Sequence, residues 1–373
     1  MVRQEKGITR FPEVPVNKDR LVENFLTLVQ LDSPTGEEPR VANYLLDWFK
    51  SREITAKQDK AGNVFAKVPG TGEPLFLSAH MDTVEPGRGI EPKVRGGTIR
   101  SSGKTILGAD NKSTITVLLE TVDLLKKGKH RPLEVLFTVD EESNNSGALG
   151  FDYSKLKAKQ GLIADIAEPI GTIVLASPAY FRFDANLSGK SAHAAYPDQG
   201  VDVLDSLSNV LKIKKGQLDS VTTLNIGLVQ AGTARNTIPG EATVSGEVRS
   251  YDETQLAKNL GLTLERIERA VKESGVRLSL TYKKDNPGYV FDEADPFIKA
   301  LAETIKRIGI NPHFIWNPSC SDANIFNANG LQVVNIGDGT QNTHTRNELI
   351  KISDMVKLVN IFFNFVRLGI DNR

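Results

Sequence analysis

Short apolar runs in this chain end abruptly on acids and histidines. Leu75-Phe-Leu-Ser-Ala passes directly into His80-Met-Asp82-Thr, and Leu133-Glu-Val-Leu-Phe-Thr-Val into Asp140-Glu141-Glu142-Ser. Runs of this length, rich in branched and aromatic residues, read as buried strands. Between them a stretch from Ala109 carries Ile115, Leu118, Leu119, Val122 and Leu125 at helical spacing and stops at Gly128. Two amphipathic helices precede the first strand. One follows Asn17-Lys-Asp with Leu21, Phe25, Leu26 and Val29; the other follows a break at Ser33-Pro-Thr-Gly with Val41, Tyr44, Leu45, Trp48 and Phe49. Asn63-Val-Phe-Ala-Lys-Val and the 75–79 run, joined by a Pro69-Gly-Thr-Gly turn, read as a strand pair. Such alternation predicts an α/β layer architecture with a largely parallel sheet.

The middle of the chain has a different rhythm. Strands are predicted over 180–187, 223–229, 241–248 and 276–282, with helices over 201–213 and 252–274. The order β-α-β-β-α-β is that of a ferredoxin-like unit, placed at about 179–290 and inserted into the α/β domain. A helix from Asp295, a strand over 332–336 and a closing helix over 353–367 complete the chain.

Composition narrows the function. Lys plus Arg (46) equal Asp plus Glu (46), so no global basic field points to nucleic acid or an anionic membrane. The single cysteine, Cys320, excludes an internal disulfide and any multi-thiolate metal site. No stretch has the length and apolarity of a membrane span or a leader, and a cytoplasmic location is expected.

Five motifs carry candidate chemistry, four of them in the α/β layer and one in the middle domain, and each also has a plain alternative. His80 and Asp82, two apart on an extended segment, face the same way at a strand end, where open α/β sheets place ligands; a hydrogen-bonded pair without metal is the alternative. Asp110, in Gly108-Ala-Asp-Asn-Lys, precedes a helix and could equally be its N-cap. Asp140-Glu141-Glu142 is a self-repelling run that reads either as solvated or as facing a cation. In the second case adjacent side chains diverge, so Glu142 could bind metal while Glu141 faces water. His344, in Asn342-Thr-His-Thr-Arg-Asn-Glu348, and His193, in Gly189-Lys-Ser-Ala-His-Ala, would individually be read as surface or capping residues. Taken together, imidazoles and carboxylates without thiolate suit zinc or a neighbouring divalent ion in a catalytic site.

With those residues in place, the sequence resembles the co-catalytic di-zinc metallopeptidases, the family of peptidase T, glutamate carboxypeptidase, aminoacylase and succinyl-diaminopimelate desuccinylase, and is most similar to the peptidase T-like branch. The stretches that carry the resemblance are Ser78-Ala-His-Met-Asp-Thr-Val, Leu107-Gly-Ala-Asp-Asn-Lys, Thr138-Val-Asp-Glu-Glu-Ser, Ser188-Gly-Lys-Ser-Ala-His-Ala, Asn236-Thr-Ile-Pro, Gly246-Glu-Val-Arg and Thr343-His-Thr-Arg-Asn-Glu. They run in the family's order over nearly the whole chain.

The resemblance implies a zinc-exopeptidase-type three-layer catalytic domain over 1–178 and 291–373, with a lid and dimerisation domain over 179–290. It implies two divalent ions, zinc first and cobalt or manganese as alternatives. His80 would bind one ion, Glu142 and His344 the other, and Asp110 would bridge both. Asp165 matches the fifth ligand, although Ile166 stands where glycine is usual and Glu168 is a nearby competitor. Asp82 would orient His80, and Glu141 would be the general base. His193, Asn236 and Arg249 would contact the substrate, His193 in many relatives from the neighbouring subunit of a homodimer. A cis peptide after Asp110 is implied as well. The implied activity is hydrolysis of small peptides of the tripeptide aminopeptidase type. An N-acyl amino acid deacylase or desuccinylase with the same centre is the alternative, and a catalytically inactive metal-dependent binding protein is the alternative from another class.

Overall fold

Four strands run parallel and side by side at the centre of the larger of two units, in the spatial order Leu133–Thr138, Leu75–His80, Gln160–Ala164 and Gln332–Ile336. Their register pairs His80 with Thr138, Ser78 with Ile163, and Ala164 with Ile336, so the carboxyl ends of all four come level. The computed structural model describes residues 9–126, 128–272 and 274–368. Of these, the ones within Met1–Leu175, Phe291–Trp316 and Ser321–Arg373 form one unit, and those within Ala176–Val290 and Asn317–Cys320 the other.

The strands expected to pair around the 69–72 turn are not neighbours. Leu133–Thr138 lies between them, antiparallel to Val64–Val68 and parallel to Leu75–His80. Burial explains the order. Leu133–Thr138 is buried at every residue, as a central strand must be. Val64–Val68 keeps Lys67 exposed and is followed outward only by Thr55–Gln58.

Both faces of this sheet are covered by helices. Leu75, Leu77 and Ala79 join one core with Leu21 and Phe25 of the helix Lys18–Val29, Ile115 and Leu118 of Ala109–Leu125, and Leu358 and Phe362 of Ile352–Arg367. On the opposite face Phe76 meets Phe326 of the helix Asp322–Ala328 edge to face, with ring centroids 4.9 Å apart. Each such fully buried side chain contributes roughly 1.5–3 kcal/mol of transfer free energy, and the result is the expected three-layer α/β architecture. The segment Ala109–Leu125 is not helical from its first residue: Asp110 (φ −79°, ψ 106°) and Asn111 (φ −115°, ψ 20°) leave the helical region, and the peptide between them is cis.

The second unit has the chain order Ala179–Ser188, Leu204–Leu211, Thr222–Ala231, Glu241–Ser250, Glu253–Val271 and Arg277–Asn286. Its four long strands are all antiparallel, in the spatial order 222–231, 241–250, 179–188, 277–286, which is the ferredoxin-like arrangement. Phe183, Leu187, Val244 and Val248 pack beneath Leu207, Leu256 and Ile267 of the two helices. The first helix is shorter than expected because Val201 bridges to Lys190 as extended backbone. Among the described residues no helix is long and apolar enough to cross a membrane.

Candidate metal centre

The level carboxyl ends of the four parallel strands bring five of the sequence-predicted side chains together. His80 is the last residue of its strand, Glu142 follows Leu133–Thr138, Asp165 follows Gln160–Ala164, and His344 lies in the loop beyond Gln332–Ile336. Asp110 enters from the non-helical start of its segment. Its two oxygens face different partners: Oδ1 lies 3.1 Å from His80 Nε2, and Oδ2 lies 3.4 Å from His344 Nε2. Asp165 Oδ1 is 3.4 Å from the same His80 nitrogen, and Glu142 Oε1 is 3.0 Å from His344 Nε2. Donor atoms of His80, Asp110 and Asp165, of His80, Glu141 and Glu142, and of Asp110, Glu142 and His344 each fall within 4.8 Å of one another. Glu168 belongs to none of these groups. Ile166 has no left-handed φ, so its backbone does not require the glycine usual there.

Buried polar side chains hold the backbone beneath these donors. Asp82 accepts the N–H groups of Glu141 (3.0 Å) and Glu142 (3.2 Å) and the hydroxyl of Thr35 (2.8 Å). His80 Nδ1 faces the Asp82 carbonyl at 3.0 Å. A proton on that nitrogen leaves the Nε2 lone pair for a metal ion, the usual way a neighbouring acceptor fixes a ligating imidazole. Asn335 grips the Asp165 backbone on both sides, accepting its N–H at 2.9 Å and donating to its carbonyl at 3.0 Å. Asn111 donates to Asp165 Oδ1 at 3.0 Å. Glu348 accepts four consecutive N–H groups, from Leu107 to Asp110. Sequence reasoning assigned no role to Asn335, Asn111 or Glu348, although Glu348 closes the quoted Thr343-His-Thr-Arg-Asn-Glu stretch.

Comparison with known proteins gives this arrangement a family. The profile of Peptidase family M20/M25/M40 matches residues 76–368. The chain belongs to that family. It is 31% identical to the Bacillus subtilis protein YqjE over 356 residues, covering 92% of this chain and 96% of that one. Among solved structures it is similar to aminopeptidase PepT from Bacillus cereus, with a TM-score of 0.89, 31% identity, and 94% of this chain and 98% of that chain covered. A tripeptidase from Staphylococcus aureus superposes with a TM-score of 0.91 at 30% identity, covering 95% and 98%. The chain is therefore a hydrolase of a peptidase family, and its structural neighbours include members of the peptidase T-like branch.

The electrostatics of this candidate centre suit cations. Burial raises Glu141 well above the ordinary carboxylate range, and the charge of Asp165 pushes it further. Burial also raises Glu142 and Asp165, each in the field of Asp110. Asp82 behaves oppositely: burial would raise it, but bonds from His80, Thr35 and the Glu141 N–H bring it down. Hydrogen bonds to Asp110 and Glu142 raise the His344 imidazole to about 10. A cluster of acids that holds protons on its histidines to balance itself is a donor set complementary to divalent ions. Two imidazoles and three carboxylates, with no thiolate among them, fit zinc and its neighbours.

The other predicted residues lie in the second unit. His193 and Asn236 are both exposed, on and beside the short pairing of Ala192–His193 with Thr237–Ile238. The Asn236 carbonyl accepts the Ala194 N–H at 2.9 Å. Arg249 is half-buried on the strand Glu241–Ser250, over the ring of Tyr180. Its fork is turned to Glu247, at 2.7 and 3.1 Å, and its remaining nitrogen donates to the Pro318 carbonyl at 3.2 Å.

Proposed function

We propose that this chain is a di-metal aminopeptidase of small peptides, tripeptides foremost. The observation that carries the reading is Asp110, whose two oxygens each face a separate histidine–carboxylate pair, His80 with Asp165 and His344 with Glu142. The likeness to an aminopeptidase and a tripeptidase at 30–31% identity over almost the full chain supports the substrate class.

His80, Asp165 and Asp110 would hold one ion and His344, Glu142 and Asp110 a second, zinc in first place; bound there, such ions supply Lewis acidity toward a carbonyl and acidify water. Asp82 keeps His80 oriented through the carbonyl at its Nδ1. It also holds the Glu141–Glu142 backbone, so base and ligand stay in fixed relation. Glu141 takes the proton of the attacking water on a carboxylate oxygen and returns it to the leaving amine nitrogen. We assign Arg249 to a substrate carboxylate, which would take over the guanidinium fork that Glu247 holds in this structure, with His193 and Asn236 as further substrate contacts. The resemblance also supports a homodimer through the second unit, which sedimentation equilibrium would measure.

The test is a hydrolysis assay on free-amino di- and tripeptides beside N-acetyl and N-succinyl amino acids. Metal-stripped and zinc- or cobalt-reconstituted protein are compared, and Glu141→Gln is run in parallel. Metal-restored release of N-terminal residues is expected. Glu141→Gln should keep its metal and lose about 100-fold or more in kcat. Cleavage confined to acylated amino acids would overturn the substrate, and near-wild-type turnover by Glu141→Gln would overturn the base.

A further inference from the structure

Behind Glu141 lies a buried group that the mechanism above does not use. Asp322, 3% exposed, is the first residue of the helix Asp322–Ala328 and is fixed at both oxygens. Oδ2 accepts the hydroxyl of Thr138, at the end of the strand before the acidic run, at 2.6 Å. Oδ1 accepts the side-chain N–H of Asn145 at 3.0 Å. The same Asn145 nitrogen lies 3.4 Å from Glu141 Oε1. One amide group thus stands between two carboxylates and has one hydrogen for each. Asn145 takes a left-handed backbone (φ 50°), a conformation asparagine tolerates better than most residues, and this turns its side chain back toward both acids. The helix that carries Asp322 is itself anchored by a capping box, in which the Ser321 N–H donates to Asn324 Oδ1 at 3.0 Å.

We propose that Asp322 is a positioning residue for Glu141, acting through the side-chain amide of Asn145. The inference rests on Glu141 being the base of the proposed reaction. An amide can present either its nitrogen or its oxygen to a neighbour, and the two ends have opposite effects on a carboxylate. Asp322 selects the nitrogen: its carboxylate, already held by Thr138, accepts one hydrogen and directs the other at Glu141. With the oxygen turned toward it instead, Glu141 would face a further negative group beside Asp165 and Glu142, and its carboxylate would swing away. A base displaced by a fraction of an ångström loses rate without losing substrate.

The experiment compares wild type, Asp322→Asn, Asn145→Ala and the double variant in the zinc-loaded protein. It reads kcat, KM and metal content on a tripeptide, and the Asn145 side-chain amide by selective 15N-asparagine NMR, with the signal assigned by its loss in Asn145→Ala. Each single variant should lose roughly 10- to 100-fold in kcat, with KM within about twofold and metal content unchanged. The double variant should be no slower than Asn145→Ala alone, since both act through one amide. In wild type the two amide protons should resonate downfield as hydrogen-bonded, and Asp322→Asn should release at least one. Thr138→Val, which leaves the carboxylate in place but loosens it, should give a smaller loss of the same kind if Asp322→Asn folds poorly. Multiplying losses in the double variant, full kcat in Asp322→Asn, or an Asn145 amide signal indifferent to Asp322 would each overturn the proposal. A wild type inactive on every amide substrate would instead overturn the functional reading, and the amide signal would still decide whether Asp322 holds Asn145.

Discussion

Glu348 and Asp110 are 238 positions apart, yet the Glu348 carboxylate accepts the Asp110 N–H at 3.1 Å. The same carboxylate takes the N–H groups of Leu107, Gly108 and Ala109 at 2.8, 2.9 and 2.7 Å, so it closes the whole turn that delivers Asp110. Glu348 sits four residues after His344. The loop that supplies one candidate ligand therefore also fixes the carboxylate meant to bridge to the other.

Removing that carboxylate leaves four N–H groups without their acceptor, three of them buried, each buried one costing about 1–3 kcal/mol if it stays unpaired. Glu348→Ala is expected to lower the unfolding temperature and to weaken zinc binding by roughly 10- to 100-fold, the usual consequence of losing a group that orients ligands. Calorimetric titration of metal-stripped protein checks this. Wild-type affinity in Glu348→Ala would show that the turn holds Asp110 without help.

The contrast between Glu348 and His80 shows what the sequence can carry. His80, Asp82 and Glu141–Glu142 were legible because an apolar run ends on each of them, a local pattern that needs no partner. Asp165 follows an apolar run too, but only family resemblance singled it out from Glu168. Asn335, Asp322 and Glu348 work by bonds to groups 170 or more positions away, and nothing in their own neighbourhoods announces such a partner. Strand order was hidden for the same reason. That Leu133–Thr138 lies between the Val64–Val68 and Leu75–His80 strands is a non-local pairing, and its complete burial, which Leu75–His80 shares, does not single it out in the sequence.

Metal binding should be coupled to proton release, with a sign fixed by the histidines. His344 is raised to about 10, and His80, despite the opposing effect of burial, is held well above its ordinary value by Asp110 and Asp165. Those acids favour the protonated imidazole in the metal-free protein, and each histidine must give up a proton to coordinate. Zinc binding at pH 7 should therefore expel about two protons, and affinity should rise with pH up to the neighbourhood of 10. Calorimetry in buffers of different ionisation enthalpy counts those protons. His344→Ala should release about one fewer, and binding that releases none would remove both histidines from the ligand set.

Stability away from the centre depends on a clamp around Asp123. Arg52 grips its two oxygens at 2.7 and 2.8 Å while lying over the Trp48 ring, and Lys126 approaches at 3.1 Å. Beside it Arg20 makes the same two-point contact with Glu120, so the two N-terminal helices are tied to the helix Ala109–Leu125. Burial alone would raise the Asp123 carboxyl, but Arg52 and Lys126 outweigh it and hold the group below its ordinary value. A folded-state pKa below the unfolded value of about 3.9 adds stability that is complete above that value. It is lost as pH falls through the native one. Asp123→Asn keeps the shape and discards the charge. Because Arg52 and Lys126 remain partly in water, the expected loss near pH 7 is modest, about 1 kcal/mol. Urea unfolding of the two proteins side by side should show that gap at neutral pH and its closure below about pH 4. A gap that persists undiminished into acid would mean that Asp123 acts by packing and neutral hydrogen bonding rather than through its charge.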